Sequence, residues 1–514
     1  MTNRVDSSSN KQLVINVFAS IISTLAGLGV AFLLTPFLIS NIGKEVYSFY
    51  PIANNFVTYF TIIVNALNAL ASRFITIEVV KRNKEKAQEY FSSVFFANLF
   101  LAFVFIIPMV VIVGIVDKIF DIPEIYVRDV KILFILIFLS LLINVISSVF
   151  GVATFVCNRI DFRSYQQVVV ILLRIILYII LFNVFPANIM YIGIVTLAES
   201  LMNCTIQIFL TKKLMPEFHI CFAKAKLFAV KTLLSSGIWN SINSLGSNLL
   251  SGISVFMSNI LMGAIASGNI SIVQTLSNLC TTLISMMVNV FYPRMTREYA
   301  ENGKIGLDKE TKRSQIVMGG LITVPIVLLI IYGKPFYELW MPGEDGQLLQ
   351  RLSAISLIPY VFQANMWTLT QIYSVLNRVK KPAEVMLGFG IVNIFLLSVM
   401  SNIFNNIIII PIITSLLNVL YCVVFVPIHI ARELSVSVIP YYLHIIKTLL
   451  SVVIICILGT IIRASFYPTT WLMFIVSGGI SAILSYLIYF VVVILNRNTV
   501  FLIREKYIKR KVRF

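Results

Sequence analysis

The chain has 514 residues, of which 59% are hydrophobic and only 12% charged, and its formal net charge is +18. With a mean hydropathy of +0.93 this is not the balance of a soluble domain, and it identifies an all-α polytopic membrane protein. Nucleic acid is excluded as the explanation of the charge, because the basic residues gather in the loops of one membrane side.

The first apolar stretch, 12–39, is too long for a signal core and lacks a small-residue cleavage site, so the chain is expected to keep its start. Further apolar runs at 46–70, 91–116, 130–156, 166–185, 190–211, 236–260, 270–292, 314–332, 349–376, 383–404, 406–430, 447–464 and 471–495 predict fourteen membrane helices. Each is long enough for a hydrocarbon core of roughly 30 Å. An even number puts both termini on one side. Thirty-two of the 40 Lys and Arg residues share that side, seven lie opposite and Arg174 lies mid-span. The positive-inside rule makes the termini cytoplasmic and the protein a multi-pass component of a bacterial plasma membrane.

The first two helices reappear about 220 residues later. Asn16, Ser20, Ser23, Thr24 and Gly27 share one helical face and map to Ser236, Asn240, Asn243, Ser244 and Ser247. Asn54, Thr58, Thr61, Asn65, Asn68 and Ser72 form a second stripe, and Gln274, Asn278, Thr281 and Ser285 continue it in the other copy. Gly43 maps to Gly263; one inserted residue later, Asn68 and Arg73 map to Asn289 and Arg294. Small residues in such stripes suit helix packing, whereas the amides Asn54, Asn65, Asn68, Asn240, Asn243, Gln274 and Asn278 favour a hydrated cavity, since unpaired polarity in lipid is costly.

The repeat divides the chain into an N-lobe (1–211), a cytoplasmic amphipathic linker (212–235), a C-lobe (236–430), two accessory helices (431–496) and a basic tail (497–514). Each copy begins after an even number of spans, so the expected symmetry is a pseudo-two-fold along the membrane normal. From Glu217 to Leu234 the linker mixes Phe and Leu with Lys224, Lys226 and Lys231 and reads as an interfacial helix. The accessory pair is either a groove or an anchor, and the tail suits anionic headgroups of membrane lipids.

Arg174 in the fifth helix and Glu199 in the sixth lie at nearly the same depth, about 3 Å apart along the axis. They are expected to face each other, either as an internal ion pair or as a site where Arg174 meets an anion while Glu199 holds it or takes H+ or Na+. Arg73 and Arg294 are either snorkelling anchors or, with Arg174, ligands of a phosphate or pyrophosphate, for which guanidinium offers paired donors. Gln363, Asn365, Trp367 and Gln371 are candidate sugar contacts, with packing the alternative for Trp367 and a membrane-interface position for Trp239. Six scattered cysteines without CxxC spacing and three separated histidines indicate neither a disulfide framework nor a metal site. No catalytic motif is present, no cofactor is implied, and transport is favoured over enzymatic activity.

The segment Leu34-Thr35-Pro36-Phe37-Leu38-Ile39, with Gly43, Tyr47 and Ser72-Arg73-Phe74 followed by a Lys/Glu-rich loop to Tyr90, resembles Wzx-like polysaccharide flippases of the MOP exporter superfamily. Ser236-Gly237-Ile238-Trp239-Asn240 through Tyr292-Pro293 has the same look. The resemblance implies two six-helix lobes working by alternating access on a polyprenyl-(pyro)phosphate-linked oligosaccharide or teichoic acid precursor. Two related branches are alternatives. Drug exporters of the MATE branch carry acidic cation-binding residues in the first or seventh helix, and 12–39 and 236–260 contain no Asp or Glu. Lipid II flippases of the MurJ type carry basic residues in the first and eighth helices that have no counterpart here before Arg294. A non-transporting membrane scaffold is the alternative from another class.

Overall fold

The computed structural model describes residues 2–68 and 71–495, so the basic tail lies outside the described residues. Every regular element among them is helical, which is how a backbone satisfies its own N–H and C=O groups where no water reaches. Helix 1 is Thr2–Ile42, helix 2 comprises Lys44–Tyr47, Phe49–Asn68 and Ala71–Val80, and helix 3 is Lys84–Ile119. Helix 4 is Val127–Ser147, continued through a tight turn into Val152–Val156; helix 5 is Ile160–Val184 and helix 6 is Met190–Leu214. Helix 7 starts at Leu227 and passes through a π turn at Asn248–Gly252.

From Ser254 to Ile331 the backbone is nominally one helix of 78 residues, which at about 1.5 Å per residue would span several bilayers. Gly263 and Gly303 break it, with φ of +83° and +61°. Left-handed residues do not fit a right-handed helix. Helix 7 therefore ends before Gly263, helix 8 lies between the two glycines, and helix 9 runs on to Ile331. Helix 10 is Gly346–Val375, helix 11 Lys380–Phe404, helix 12 Ile409–Leu434, helix 13 Ile439–Ser465 and helix 14 Trp471–Ile494. Among the described residues, eleven continuous runs are long and apolar enough to cross a bilayer. One of them, Gly237–Ile331, holds three spans, and helix 10 completes the expected fourteen.

The duplication shows in the turns. Gly43 and Gly263 have φ of +82° and +83°, Arg82 and Gly303 +59° and +61°, and Asn158 and Asn377 +53° and +55°. Their offsets are 220, 221 and 219 residues. The third pair closes identical helix C-caps: Arg159 N–H donates to Thr154 O and Arg378 N–H to Tyr373 O, both at 2.8 Å, the six-to-one bond of a left-handed cap. The correspondence read from helices 1, 2, 7 and 8 thus extends to the turns after helices 2 and 4.

The chain forms two compact units. The first is Met1–Ser271 with Ala383–Ile394, and the second is Ile272–Pro382 with Phe395–Phe514. Helix 7 belongs to the first because its glycines let other backbones approach. A Cβ on Gly237 would meet the Ala66 carbonyl of helix 2 at 2.2 Å, and one on Gly246 would meet Leu387 N of helix 11 at 2.5 Å. Asn393 on helix 11 donates to the carbonyls of Leu249 and Leu250 at 3.0 and 3.1 Å, pairing oxygens in the π turn. Compactness therefore divides the chain inside helix 8, and the 212–235 linker lies within the first unit.

The expected amphipathic helix over Glu217–Leu234 is corrected. Only Leu227 onward is α-helical, and before it the chain makes a single turn at Phe222–Lys224. Helix 3 takes its backbone groups instead: Gln88 donates to His219 O, and Cys221 and Lys226 N–H donate to Ser92 and Ser93 Oγ at 3.3 and 2.9 Å. Ion pairs Lys84–Glu217 and Lys226–Glu89 at 2.6 and 2.7 Å fix the same segment.

In the second unit helices 13 and 14 are built into the packing. Tyr441 Oη donates to Asp308 at 2.6 Å, Tyr332 Oη and Ser481 Oγ are 2.8 Å apart, and Tyr489 Oη donates to Ile316 O at 3.2 Å. Tyr332 and Tyr489 also sit in one apolar cluster with Ile331, Met318 and Ile455.

Candidate functional site

Helices 5 and 6 are antiparallel neighbours joined by a short turn, which brings Arg174 and Glu199 together as their depths require. Arg174 Nη2 donates to Glu199 Oε2 at 2.7 Å and Nε to Oε1, a two-point pair of planar groups. The arginine side chain is 31% exposed and the glutamate 13%. Tyr50 of helix 2 and Tyr178 of helix 5 lie within electrostatic range of the pair. The guanidinium is thus already balanced, and an anion reaching Arg174 must compete with Glu199.

The other two arginines differ. Arg294 Nε binds Glu310 at 2.8 Å, with the glutamate 6% exposed. Arg73 is exposed and makes no ion pair among the described residues. Arg73 belongs to the first unit and Arg294 to the second.

The stripe residues occupy several kinds of position. Asn16 is turned to the cap after helix 4: it donates to Asn158 O and Oδ1 at 3.1 Å and accepts from Asp161 N–H at 3.0 Å. Thr24, Thr58 and Thr61 bond the carbonyls of their own helices, as Asn54 does to Tyr50 O at 3.2 Å. A Cβ on Gly27 would lie 3.6 Å from Ile171, so that position packs helix 1 on helix 5. Asn65, Asn240 and Asn278 are exposed, Asn243 is half-buried, and Gln274 donates to Asn278 Oδ1 at 3.1 Å. The side chains of Ser236 and Asn289 lie outside the described residues.

Asn68 differs from all of these. It exchanges bonds of 3.2 Å with Asn98 and lies 3.3 Å from Ser148 Oγ, and with Ser72 it lines a cavity of about 310 Å³ inside the first unit. Asn144, Arg163, Gln166 and Gln207 line it too. Asn144 donates to Ser200 at 2.9 Å and Gln166 to Asn203 at 2.8 Å. Gln363 on helix 10 donates to Asn418 on helix 12 at 3.4 Å, joining those helices as Asn144 and Ser200 join helices 4 and 6. The repeat pattern does not pick out Asn144, Gln166 or Gln207. The available signal was a polar group on each of helices 4, 5 and 6: Asn144 13 residues before Cys157, Arg163 and Gln166 four and seven residues after Arg159, and Gln207 seven residues before Leu214. Trp367 packs against the apolar cluster of the second unit, and Asn365 accepts from Thr448 at 3.2 Å beside His444 at 2.9 Å.

The model of the family described as polysaccharide biosynthesis protein matches residues 13–298, more than half of the chain. The chain belongs to that family. Among curated proteins this family member is 26% identical over 385 residues to an uncharacterized membrane protein, EpsK, of Bacillus subtilis (strain 168), covering 75% of the chain and 76% of EpsK. Among solved structures it is similar to the lipid II flippase MurJ in an inward closed conformation, with a TM-score of 0.65 at 13% identity, covering 93% of the chain and 98% of MurJ. It is also similar to an inward-facing multidrug resistance MATE family transporter of the MOP superfamily, with a TM-score of 0.61 at 15% identity, covering 82% and 98%. A MOP superfamily transporter from Pyrococcus furiosus gives 0.59 at 14%, covering 82% and 94%. The fold of this family member is that of the MOP superfamily, and it is a multi-pass membrane protein.

Proposed function

We propose that this protein is a flippase that moves a polyprenyl-(pyro)phosphate-linked oligosaccharide or teichoic acid precursor from the cytoplasmic to the outer leaflet of the bacterial plasma membrane by alternating access. Membership of a polysaccharide biosynthesis family, on a fold shared with MurJ and MATE transporters, carries the reading. The side chains agree with it. Helices 2 and 7 cross tightly at Ala66 and Gly237 while the nearby amides Asn65 and Asn240 stay exposed. Exposed amides on apolar helices are stable where water or a sugar meets them, not acyl chains. The headgroup uses such amides, the polyprenyl tail stays in lipid, and the (pyro)phosphate engages the first unit's Arg73 and Arg174, the latter in competition with Glu199.

Moving an anionic headgroup outward across an inside-negative membrane releases about 2.3 kcal/mol per charge per 100 mV, so the membrane potential suffices without ATP. The test is flipping of a defined polyprenyl-linked sugar in proteoliposomes, with and without an imposed potential. Transfer that rises with the potential and disappears in Asn65→Leu with Asn240→Leu, the protein remaining folded, is the expected result. No transfer of any polyprenyl-linked glycan, with partner binding lost in the double variant, would establish a scaffold instead. Lipid II is the second reading, on the 93% coverage by the MurJ fold, and a peptide-bearing headgroup flipped in preference to a peptide-free one would establish it.

A further inference from the structure

The cavity in the first unit is built like a carbohydrate site. Its volume of about 310 Å³ is at the lower end of small-molecule pockets, about 300–1,000 Å³, and suits one sugar ring rather than an oligosaccharide. Asn68, Asn144 and Gln166 are held in place by the bonds to Asn98, Ser200 and Asn203, so their amide planes are set before any ligand arrives. Gln207 Oε1 is buried without a hydrogen-bond partner, an acceptor waiting for an O–H or N–H donor. A fully deprotonated inorganic anion donates no such bond. The lining contains no Asp or Glu to favour a metal cation, but it includes the apolar residues Phe150 and Phe155. Arg163 is its one cationic side chain, exposed and without a carboxylate partner among the described residues.

We propose that this cavity binds a single sugar 1-phosphate unit, with hydroxyl or acetamido N–H groups donating to Gln207 Oε1 and the phosphate on Arg163. The choice of ligand rests on the proposed flippase function; the site itself rests on the cavity. Gly151 provides a test without removing any polar group, because a Cβ there would lie 3.8 Å from Gln207 Oε1 and a larger side chain would fill the space.

The experiment is saturation-transfer NMR on the full chain in nanodiscs, with N-acetylglucosamine 1-phosphate, N-acetylglucosamine, and a short-prenyl diphosphate carrying the same sugar. Transfer to the acetamido and ring protons is expected for wild type and Gly151→Ala, falling at least fivefold in Gly151→Leu and Gln207→Met. Arg163→Ala should weaken the phosphorylated probes and leave the bare sugar unchanged. Stronger transfer to the prenyl probe than to the free phosphate identifies a lipid-linked source, and the reverse a soluble one; either supports the site. No transfer in wild type, meaning a cavity that holds water only, or transfer undiminished in both Gly151→Leu and Gln207→Met, overturns it. Flipping is scored separately. If wild type flips glycan while both cavity variants bind as wild type does, the cavity proposal fails and the flippase reading stands. Sugar binding that both cavity variants lose, in a protein that flips no glycan, supports the cavity and overturns the flippase reading.

Discussion

Gly43 and Gly263, 220 residues apart, share a positive φ, +82° and +83°, that L side chains rarely adopt. Their surroundings differ. A Cβ at Gly43 would meet nothing within 4 Å, but one at Gly263 would meet Asp121 Oδ2 at 2.7 Å, the carboxylate that accepts from Ala264 N–H at 3.2 Å. Gly43→Ala should therefore lose only the conformational term, about 1–3 kcal/mol for a side chain at φ +82° and ψ 150°. Gly263→Ala should lose that and displace Asp121 as well. Thermal unfolding in detergent checks the order: Gly263→Ala is expected to melt lower than Gly43→Ala. Equal melting of the two alanine variants would mean that the Asp121 contact contributes nothing.

Arg174 and Glu199 separate a structural from a transport role. Removing one partner leaves a charge in an apolar surround, a loss of about 3–5 kcal/mol for fully buried pairs, and the lower end applies here because Arg174 is 31% exposed. Arg174→Ala is expected to lower both the melting temperature and flipping. The exchanged pair, Arg174→Glu with Glu199→Arg, should restore melting. If flipping also returns, the arginine is not the anion ligand; if it stays lost, position 174 requires a cation for transport.

What the sequence made legible follows from how the bilayer acts on a chain. It forces long apolar runs and sorts charge between its faces, so fourteen spans could be read directly, and the pair at equal depth on helices 5 and 6 followed from counting residues. Gly263 and Gly303 hid less than their nominal 78-residue helix suggests, since hydropathy marks spans even where hydrogen bonding runs on. Helical phase, by contrast, does not say what a face meets. Asn16 and Asn65 belong to polar stripes of the same kind, yet Asn16 caps the turn at Asn158 and Asn65 is exposed. The linker misled for a similar reason: Phe and Lys alternate as in an interfacial helix, but Gln88, Ser92 and Ser93 of helix 3 engage its backbone from a distance of about 130 residues.

The crossing of helices 2 and 7 is a point where one added carbon should change the conformational balance. A Cβ at Gly237 reaches 2.2 Å from the Ala66 carbonyl, backbone that has no rotamer to yield. Gly237→Val is expected to part the helices and speed labelling of an Asn65→Cys thiol by a membrane-impermeant maleimide, in a background with the six native cysteines replaced. Labelling at the unmodified rate, in protein that remains folded, would show that Asn65 is equally accessible with the crossing intact.

Helices 13 and 14 should be required for the second unit to fold. They fill space that the glycines of helix 9 leave open: a Cβ on Gly320 would meet the Tyr489 ring at 2.9 Å, and one on Gly459 of helix 13 would meet Ile331 at 2.7 Å. Polar bonds from Tyr441 to Asp308 and from Tyr489 to Ile316 O join the same faces. Ending the chain at Leu434 would expose the faces of Tyr332, Met318 and Ile331, which now pack beside Ile455, Tyr489 and Val493. The truncated protein is expected to aggregate or be degraded, and Gly320→Val in the full chain to melt lower, because Tyr489 must leave its place. A truncated chain that purifies as a monodisperse species and flips glycan at the full-length rate would reduce helices 13 and 14 to an anchor.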